Sequence, residues 1–199
     1  MSINFDAFAW GGAFVLLSVF LFLRWRKTRD LFHLLFVSLF SFYLILVIRL
    51  TVFPIYIIPY RAMQGYFMDN VNLIPFYFGP GISLANALPG IILNTLLTMP
   101  IGFGINFIVH FRPRDLFRLV AIFGFGIEGM QLLISLLLGY PYRAIDVNDV
   151  IFNSLGVVLG YGFFRVFAPA YLALTRHGGL QAYGIFRHLH EVASRTDEA

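Results

Sequence analysis

Five apolar stretches, each close to the length of a membrane-spanning helix, dominate the chain. They are residues 8–23, 31–53, 86–109, 116–138 and 149–174. A bilayer core of about 30 Å is crossed by about 20 helical residues. With 59% of its residues hydrophobic and only 12% charged, the chain is more apolar than a soluble domain can be. The sequence therefore predicts an all-α, polytopic bundle of about five transmembrane helices.

The polar regions predict one transmembrane domain, residues 1–175, and a polar cytoplasmic tail, residues 176–199, with a short amphipathic helix at 180–192. The start MSINFD has neither a basic segment nor a small-residue cleavage site, so we expect the first apolar stretch to remain as an anchor. The long loop 54–85, between the second and third helices, is rich in proline, glycine and aromatic residues. This composition favours an irregular segment at the membrane interface that could act as a lid.

Basic residues at the ends of the apolar stretches indicate the orientation in the membrane. Arg24, Arg26, Lys27 and Arg29 follow the first stretch, and Arg112, Arg114 and Arg118 surround the connection between the third and fourth. By the positive-inside rule both connections are cytoplasmic, as is the C-terminus, and the N-terminus lies outside with loops 54–85 and 139–148. The net charge of +4 is divided among these clusters, so we do not expect a nucleic-acid partner. Because the chain has no cysteine, disulfides and cysteine nucleophiles are excluded.

Polar residues within the apolar stretches, or just before the fifth of them, are the candidate functional groups. They are Arg49, Asn94, Glu128, Gln131, Arg143, Asp146, Asp149 and Asn153. Counted at about 1.5 Å per residue, all eight fall in the outer half of the bundle. Glu128 and Gln131 share one helix face and Asp149 and Asn153 another, since they are three and four residues apart. Charged groups in a membrane nearly always face the bundle interior or a wet cavity, so we predict one outward-open polar pocket.

Three interpretations of this pocket remain open. In the first, Glu128, Asp146 and Asp149 are acid, base or nucleophile, Arg49 or Arg143 holds a phosphate, and Asn94, Gln131 and Asn153 position the substrate. In the second, Asp146 caps the fifth helix, and the aspartates form a structural ion network with the two arginines. In the third, the carboxylates hold a divalent cation. The spacing matches no cation-binding loop, so we assign no metal site, and no cofactor is assigned.

Small residues and histidines carry further expectations. Gly156 and Gly160 form a small-xxx-small face for close helix packing, and Gly124 with Gly126 should thin the fourth helix. Pro100 should bend the third helix. His188 and His190 are two residues apart and do not share a helix face, so a zinc pair is not expected. We expect the five histidines to be solvated or interfacial.

Four sequence blocks resemble the VanZ-like family of bacterial membrane proteins. They are NLIPF at 72–76, N-x-L-L-x-x-P-x-G at 94–102, Glu128 with Gln131, and R-x-x-D-x-x-D-x-x-x-N-x-x-G at 143–156. The resemblance implies a multi-pass protein of the bacterial cytoplasmic (inner) membrane. It also implies a link to the glycopeptide teicoplanin, because the family's named member is associated with low-level resistance to it. The chain departs from the family pattern in two places. It has Thr98 and Met99 where family members often carry an aromatic or aliphatic pair before the proline, and it has a polar C-terminal tail.

Two functions are compatible with the pocket and the resemblance. The first is the modification or hydrolysis of a membrane lipid or a lipid-linked envelope precursor whose polar head enters from outside. The second is non-enzymatic: a binding or shielding protein that alters access of a glycopeptide antibiotic to the cell surface, or an assembly partner in envelope synthesis. Transport is less well supported, because the sequence shows no inverted repeat and no polar residues in the inner half of the bundle.

Overall fold

Five long helices form the bundle in the computed structural model, which describes residues 2–4, 6–28, 30–57, 68–176 and 184–195. They are α1 (Ala7–Thr28), α2 (Leu31–Val52), α3 (Leu84–Gly104), α4 (Leu116–Leu138) and α5 (Val147–Thr175). Each is long and apolar enough to cross a membrane. A shorter sixth helix, α6 (Gly184–Ser194), follows. The predicted all-α transmembrane bundle is confirmed, with helix ends shifted by a few residues.

Two small strand pairs gather three segments at one end of the bundle. Strand β1 (Ser2–Ile3) pairs with β2 (Ile55–Tyr56), and β3 (Val71–Asn72) pairs with β4 (Ile145–Asp146). The N-terminal segment, the α2–α3 loop and the α4–α5 loop therefore share one end, here called the strand end. The opposite end, where α6 packs against α2 and α5, is called the α6 end. This grouping is the one that five alternating membrane crossings require.

Helices α3 and α5 approach so closely that their backbones touch. A Cβ atom at Gly156 would lie 2.2 Å from the Thr95 carbonyl oxygen, and one at Gly160 would lie 1.8 Å from that of Met99. From the other side, a Cβ at Gly102 would lie 2.0 Å from a carbonyl oxygen of α5. The predicted small-residue face of α5 is confirmed, because only glycine allows this approach.

The two glycines of α4 differ in their surroundings. A Cβ at Gly124 would lie 2.2 Å from the Ser154 hydroxyl of α5, whereas one at Gly126 would meet nothing within 4 Å. Gly124 is thus part of the α4–α5 contact. Gly126 is not, so the expectation that both glycines serve packing holds for Gly124 alone.

Helix α6 docks on the bundle through its apolar face. Val192 and Ala193 are buried with Phe107 and Phe164 in one core cluster. His188 is also buried and stacks on Phe36, with ring centroids 5.2 Å apart. The expected amphipathic helix is therefore present at 184–194, while residues 180–183 lie outside the described part of the chain. Of the predicted solvated or interfacial histidines, His188 is not solvated, because α6 packs against the bundle. His177 lies outside the described residues.

Asp30 joins the start of α2 to α6. Its Oδ1 accepts hydrogen bonds from the backbone N–H groups of Phe32 (2.9 Å) and His33 (3.1 Å), and its Oδ2 lies 3.6 Å from Nδ1 of His188. Partial burial alone would raise the pKa of Asp30. The backbone hydrogen bonds and the nearby histidines outweigh that effect, so the pKa lies below its usual value.

Replacing Asp30 with alanine is expected to destabilise the protein by about 1 kcal/mol, because the first turn of α2 loses its cap. Asp30→Asn keeps a side-chain oxygen for the cap and should retain most of that stability. Because folding lowers the pKa of Asp30, its negative charge stabilises the folded protein at pH values above 3.8, the pKa in the unfolded chain. This stabilisation is lost as the pH falls through the lower pKa of the folded state. Thermal unfolding in detergent at neutral and acidic pH measures both effects. Equal melting temperatures for Asp30→Ala and wild type would contradict the capping role.

Candidate functional site

A cavity of about 280 Å³ lies among α2, α3, α4 and α5. We call it the polar cavity. Its wall contains six of the eight predicted residues: Asn94, Glu128, Gln131, Arg143, Asp149 and Asn153. Leu50, Thr51, Leu93, Leu97 and Ile127 complete it. The fold thus brings together side chains that lie in four separate segments of the sequence. The role of each residue remains a prediction.

The α3–α5 contact positions one half of the polar cavity. Asn94 of α3 donates a hydrogen bond from Nδ2 to Oδ1 of Asp149, in the first turn of α5. One turn further along each helix, the Thr98 hydroxyl donates to the carbonyl oxygen of Asn153 at 2.7 Å. The Asn153 side-chain oxygen is buried and has no partner among the described residues. The close approach of the two helices therefore fixes the Asp149 carboxylate on the cavity wall.

Helix α4 supplies the second carboxyl group. Glu128 and Gln131 are both buried, and their three-residue spacing places them on one face of the helix. Glu128 accepts the backbone N–H of Asp146 at Oε2 (3.2 Å), and Gln131 donates from Nε2 to the Thr51 carbonyl oxygen (2.9 Å). Glu128 is thereby held against the start of α5, and Gln131 connects α4 to α2.

Arg143 is anchored on the end of α2. Its Nη2 donates to the carbonyl oxygens of Phe53 (2.8 Å) and Leu50 (3.4 Å), where a helix C-terminus favours positive charge. Within the described chain Arg143 forms no ion pair with a carboxylate, so the predicted ion network is wrong for this residue. Its Nε is buried without a partner in the same part of the chain. Burial raises the pKa of the adjacent Tyr142, which keeps that hydroxyl protonated at neutral pH.

Asp146 is the N-cap of α5. Its Oδ1 accepts hydrogen bonds from the Asn148 backbone N–H and from Nδ2 of Asn72, both at 2.8 Å. The predicted alternative of a capping role is therefore confirmed. Asp146 does not line the polar cavity itself, but with Asp149 it lines a second, neighbouring cavity, so it lies at the edge of the predicted pocket and not inside it. Its backbone N–H still touches the site through Glu128.

Two asparagines outside the predicted set hold the described part of the α2–α3 loop against α5. Asn148 accepts the Phe76 backbone N–H and donates to the Tyr77 carbonyl oxygen, both at 2.7 Å. Asn72 donates to the same Tyr77 oxygen at 2.8 Å. The residues after 68 are thus docked on α5. The predicted lid covers the whole loop 54–85, and residues 58–67 of this loop lie outside the described residues. Asn72 is the first residue of the NLIPF block, and its place in that block was the sequence signal that could have identified it as a site residue.

Arg49 is the second predicted residue that the polar cavity does not include. Its guanidinium lies 5.6 Å from the centre of the Trp10 ring, on the exposed side of α2. Thr51 does line the cavity, and Arg49 is about 200° away from it around the helix at 3.6 residues per turn. The predicted place of Arg49 in the pocket is therefore wrong, because Arg49 faces away from the cavity. Its depth in the membrane does not show which way it faces.

A second cavity of about 260 Å³ adjoins the first. It is lined by Phe78, Ile82, Asn86, Ala87, Gly90, Ile91, Asp146, Asn148, Asp149 and Phe152. Asp149 belongs to both walls and therefore stands between the two cavities. Across the described ranges, no group of three or more histidine, cysteine or acidic side chains is arranged to hold a metal ion. The divalent-cation alternative thus receives no geometric support there.

Comparison with known proteins identifies the family. A family model described as VanZ/LLP1 matches residues 40–168, well over half of the chain. The matched span runs from the middle of α2 into α5 and includes every residue of the polar cavity. No curated protein and no solved structure matches the chain. In agreement with the resemblance seen in its motifs, the chain belongs to the VanZ/LLP1 family.

Proposed function

We propose that the polar cavity is a catalytic site that modifies or hydrolyses the polar head of a membrane lipid or lipid-linked envelope precursor. The observation that carries this proposal is the pair Glu128 and Asp149, two carboxyl groups from different helices on the wall of one intramembrane cavity. Ionisable groups within a membrane are costly and are usually retained for function. Neither carboxylate forms an ion pair with Arg143 in the described structure, so the predicted ion network does not account for them. Each accepts one hydrogen bond from the protein, Glu128 from the Asp146 backbone N–H and Asp149 from Asn94.

The depth of the site suits a substrate that belongs to the membrane. Glu128 lies about 15 Å from the end of α4, and Asp149 about 3 Å from the start of α5, at 1.5 Å per residue. The cavity therefore extends from the strand end toward the bilayer centre. With the basic loops in the cytoplasm, the strand end faces outward and the site lies in the outer leaflet of the bacterial cytoplasmic membrane.

The hydrogen bonds suggest a division of roles. Asp149, held by Asn94, takes a proton from the attacking water or hydroxyl group, and Glu128 gives a proton to the leaving oxygen. Arg143 supplies positive charge at the cavity wall, where it stabilises the charge that develops on a phosphate or ester oxygen. Gln131 and Asn153 orient the head group. Asp146 acts through Glu128 and the α5 cap, and so is a positioning residue.

Comparative lipidomics of a deletion strain tests this proposal. Strains complemented with wild type, Asp149→Asn or Asp115→Asn are compared at equal protein levels. Asp115 is a matched carboxylate outside the polar cavity, near the start of α4. We expect a lipid or lipid-linked species to change on deletion, to be restored by wild type and Asp115→Asn, and to remain altered with Asp149→Asn. Restoration by Asp149→Asn would contradict a catalytic role.

Glycopeptide susceptibility belongs in the same experiment. If teicoplanin susceptibility follows envelope composition, it should change with deletion and with Asp149→Asn, in step with the altered lipid. An unchanged lipid profile, together with an antibiotic phenotype that Asp149→Asn retains, would instead support the non-enzymatic alternative of binding or shielding at the cell surface.

A further inference from the structure

The side chain of Asn153 carries a hydrogen-bond acceptor that has no donor. It lies on the wall of the polar cavity, and the residue is only 2% exposed. Its Oδ1 atom is buried and accepts no hydrogen bond from the described part of the chain. An unsatisfied buried acceptor destabilises a folded protein. Because the terminal torsion of asparagine is broad, this oxygen can turn to a donor inside the cavity, so the wall indicates a ligand that donates a hydrogen bond.

Asp149 offers a second acceptor on the same face of α5. It lies four residues before Asn153, one helical turn nearer the strand end, and it lines the same cavity. Its Oδ1 accepts a hydrogen bond from Asn94, whereas no donor of the described chain reaches its Oδ2. The two residues are about 6 Å apart along the helix axis. Neighbouring hydroxyl groups on one molecule can bridge this separation.

Arg143 places the opposite requirement on the same cavity. Its Nη2 donates to the Leu50 and Phe53 carbonyl oxygens, while its Nε is buried and has no partner within the described ranges. A guanidinium group has donors only. A ligand that satisfies this wall must therefore accept a hydrogen bond from Arg143 and donate hydrogen bonds to Asn153 and Asp149.

The common head-group chemistries differ in how well they meet both requirements. An ammonium group has three donors and no acceptor, and the charge of Arg143 repels it. A phosphate diester has acceptors and no donor, and an ionised Asp149 repels it. A hydroxyl group is uncharged and has one donor and two acceptor lone pairs. Hydroxyl groups beside the phosphate or ester of a lipid therefore satisfy Asn153, Asp149 and Arg143 together.

We propose that the polar cavity binds adjacent hydroxyl groups of a polyol head group, either the glycerol of a phospholipid or the sugar of a glycolipid. This inference rests on the proposed function for the claim that the bound lipid is the substrate. The hydroxyl groups donate to Asn153 and Asp149, and one of their oxygens accepts from Arg143. Ethanolamine and choline head groups, which have no hydroxyl group, bind less tightly.

Asn153→Leu removes the acceptor and keeps a side chain of similar size. The hydrogen bond from Thr98 to the Asn153 carbonyl oxygen involves the backbone and is retained. Thr95→Val is the matched control, because the Thr95 hydroxyl is also buried without a partner in the described structure, yet Thr95 does not line the polar cavity. Each variant removes an unsatisfied polar atom, so each should melt, without lipid, at or above the wild-type temperature. Asn153→Leu alone should lose the head-group preference.

Native mass spectrometry of the full-length protein, in a detergent without a sugar head group, tests the proposal. The probes have identical acyl chains: phosphatidylglycerol, phosphatidylpropanol, phosphatidylethanolamine and glucosyldiacylglycerol. Phosphatidylglycerol and phosphatidylpropanol have the same charge and differ by two hydroxyl groups. We expect wild type and Thr95→Val to bind the hydroxylated lipid about fivefold more tightly, a factor that one or two hydrogen bonds supply, and Asn153→Leu to lose most of this ratio. If Asn153→Leu does not fold, Asn153→Ala removes the same oxygen.

The glucosyl lipid distinguishes the two sources of hydroxyl groups, because it has a sugar and no phosphate. Tighter binding of phosphatidylglycerol than of the glucosyl lipid would support a glycerol head group, and the reverse order would support a sugar.

The outcomes separate this inference from the proposed function. Equal binding of all four lipids to wild type would overturn the polyol site and would indicate that water satisfies Asn153. Tighter binding of phosphatidylethanolamine, or a preference for hydroxylated lipids that Asn153→Leu retains, would also overturn it. A preference that depends on Asn153, with unchanged lipidomics, would support the polyol site and defeat the catalytic proposal. A lipidomic change confined to lipids without head-group hydroxyls would do the opposite.

Discussion

Replacing Gly160 with alanine is expected to destabilise the bundle strongly. The added methyl group would lie 1.8 Å from the Met99 carbonyl oxygen and 3.0 Å from the Phe103 backbone nitrogen. Both contacts are with backbone atoms, so relief requires α3 and α5 to separate. Overpacking of a well-packed interior typically costs about 1–3 kcal/mol and more where the surroundings cannot adjust. We expect little monodisperse protein after purification and a melting temperature well below that of wild type.

Gly162→Ala is the matched control on the same helix. A Cβ at Gly162 would meet nothing within 4 Å, and alanine favours a helix over glycine by about 1 kcal/mol. This variant should be as stable as wild type or more so. A Gly160→Ala protein that purifies and melts like wild type would show that α3 and α5 are not in backbone contact.

The same contact determines the geometry of the site. Asn94 and Asp149 lie on α3 and α5 and meet across this contact, as do Thr98 and the carbonyl oxygen of Asn153. Separation of the two helices at Gly160 should therefore weaken the hold of Asn94 on Asp149 as well. For this reason, a loss of activity in Gly160 variants is not evidence that Gly160 takes part in the chemistry.

The sequence was sufficient to predict features that depend on length, spacing and composition. The helices follow from apolar stretches of bilayer length, and the glycine face of α5 follows from the four-residue spacing of Gly156 and Gly160. Glu128 with Gln131, and Asp149 with Asn153, point into one cavity, as their helical spacing and the cost of polar groups in lipid predict. These features are local, or are imposed by the membrane.

Features that depend on helix rotation and on loop contacts were not predictable in the same way. Arg49 has the expected depth but faces Trp10, because polarity alone does not fix the rotation of α2. The cap formed by Asp146 was among the predicted alternatives, but its hydrogen bond from Asn72, across the β3–β4 pair, depends on how the α2–α3 loop folds. Docking of His188 on α2 depends on tertiary packing of α6, which no local pattern specifies.

Replacing Glu128 with glutamine is expected to abolish activity and leave the fold intact. The glutamine side-chain oxygen can still accept the Asp146 backbone N–H that Glu128 accepts at 3.2 Å, so the link between α4 and the start of α5 is preserved. Glutamine cannot exchange a proton in the way a carboxyl group does. General acid–base catalysis contributes roughly 10²–10⁴-fold to a rate, and we expect a loss of that order.

Glu128→Leu separates the chemical role of Glu128 from its structural role. Leucine offers no acceptor, and an unsatisfied, partly buried N–H costs about 1–3 kcal/mol. We therefore expect Glu128→Leu to be inactive and less stable, and Glu128→Gln to be inactive at nearly wild-type stability. Turnover of the lipid identified by lipidomics, with thermal unfolding of the same preparations, measures both quantities. If Glu128→Gln is as active as wild type while Glu128→Leu is destabilised, Glu128 serves only to hold the start of α5. The proposed catalytic pair of Glu128 and Asp149 would then be refuted.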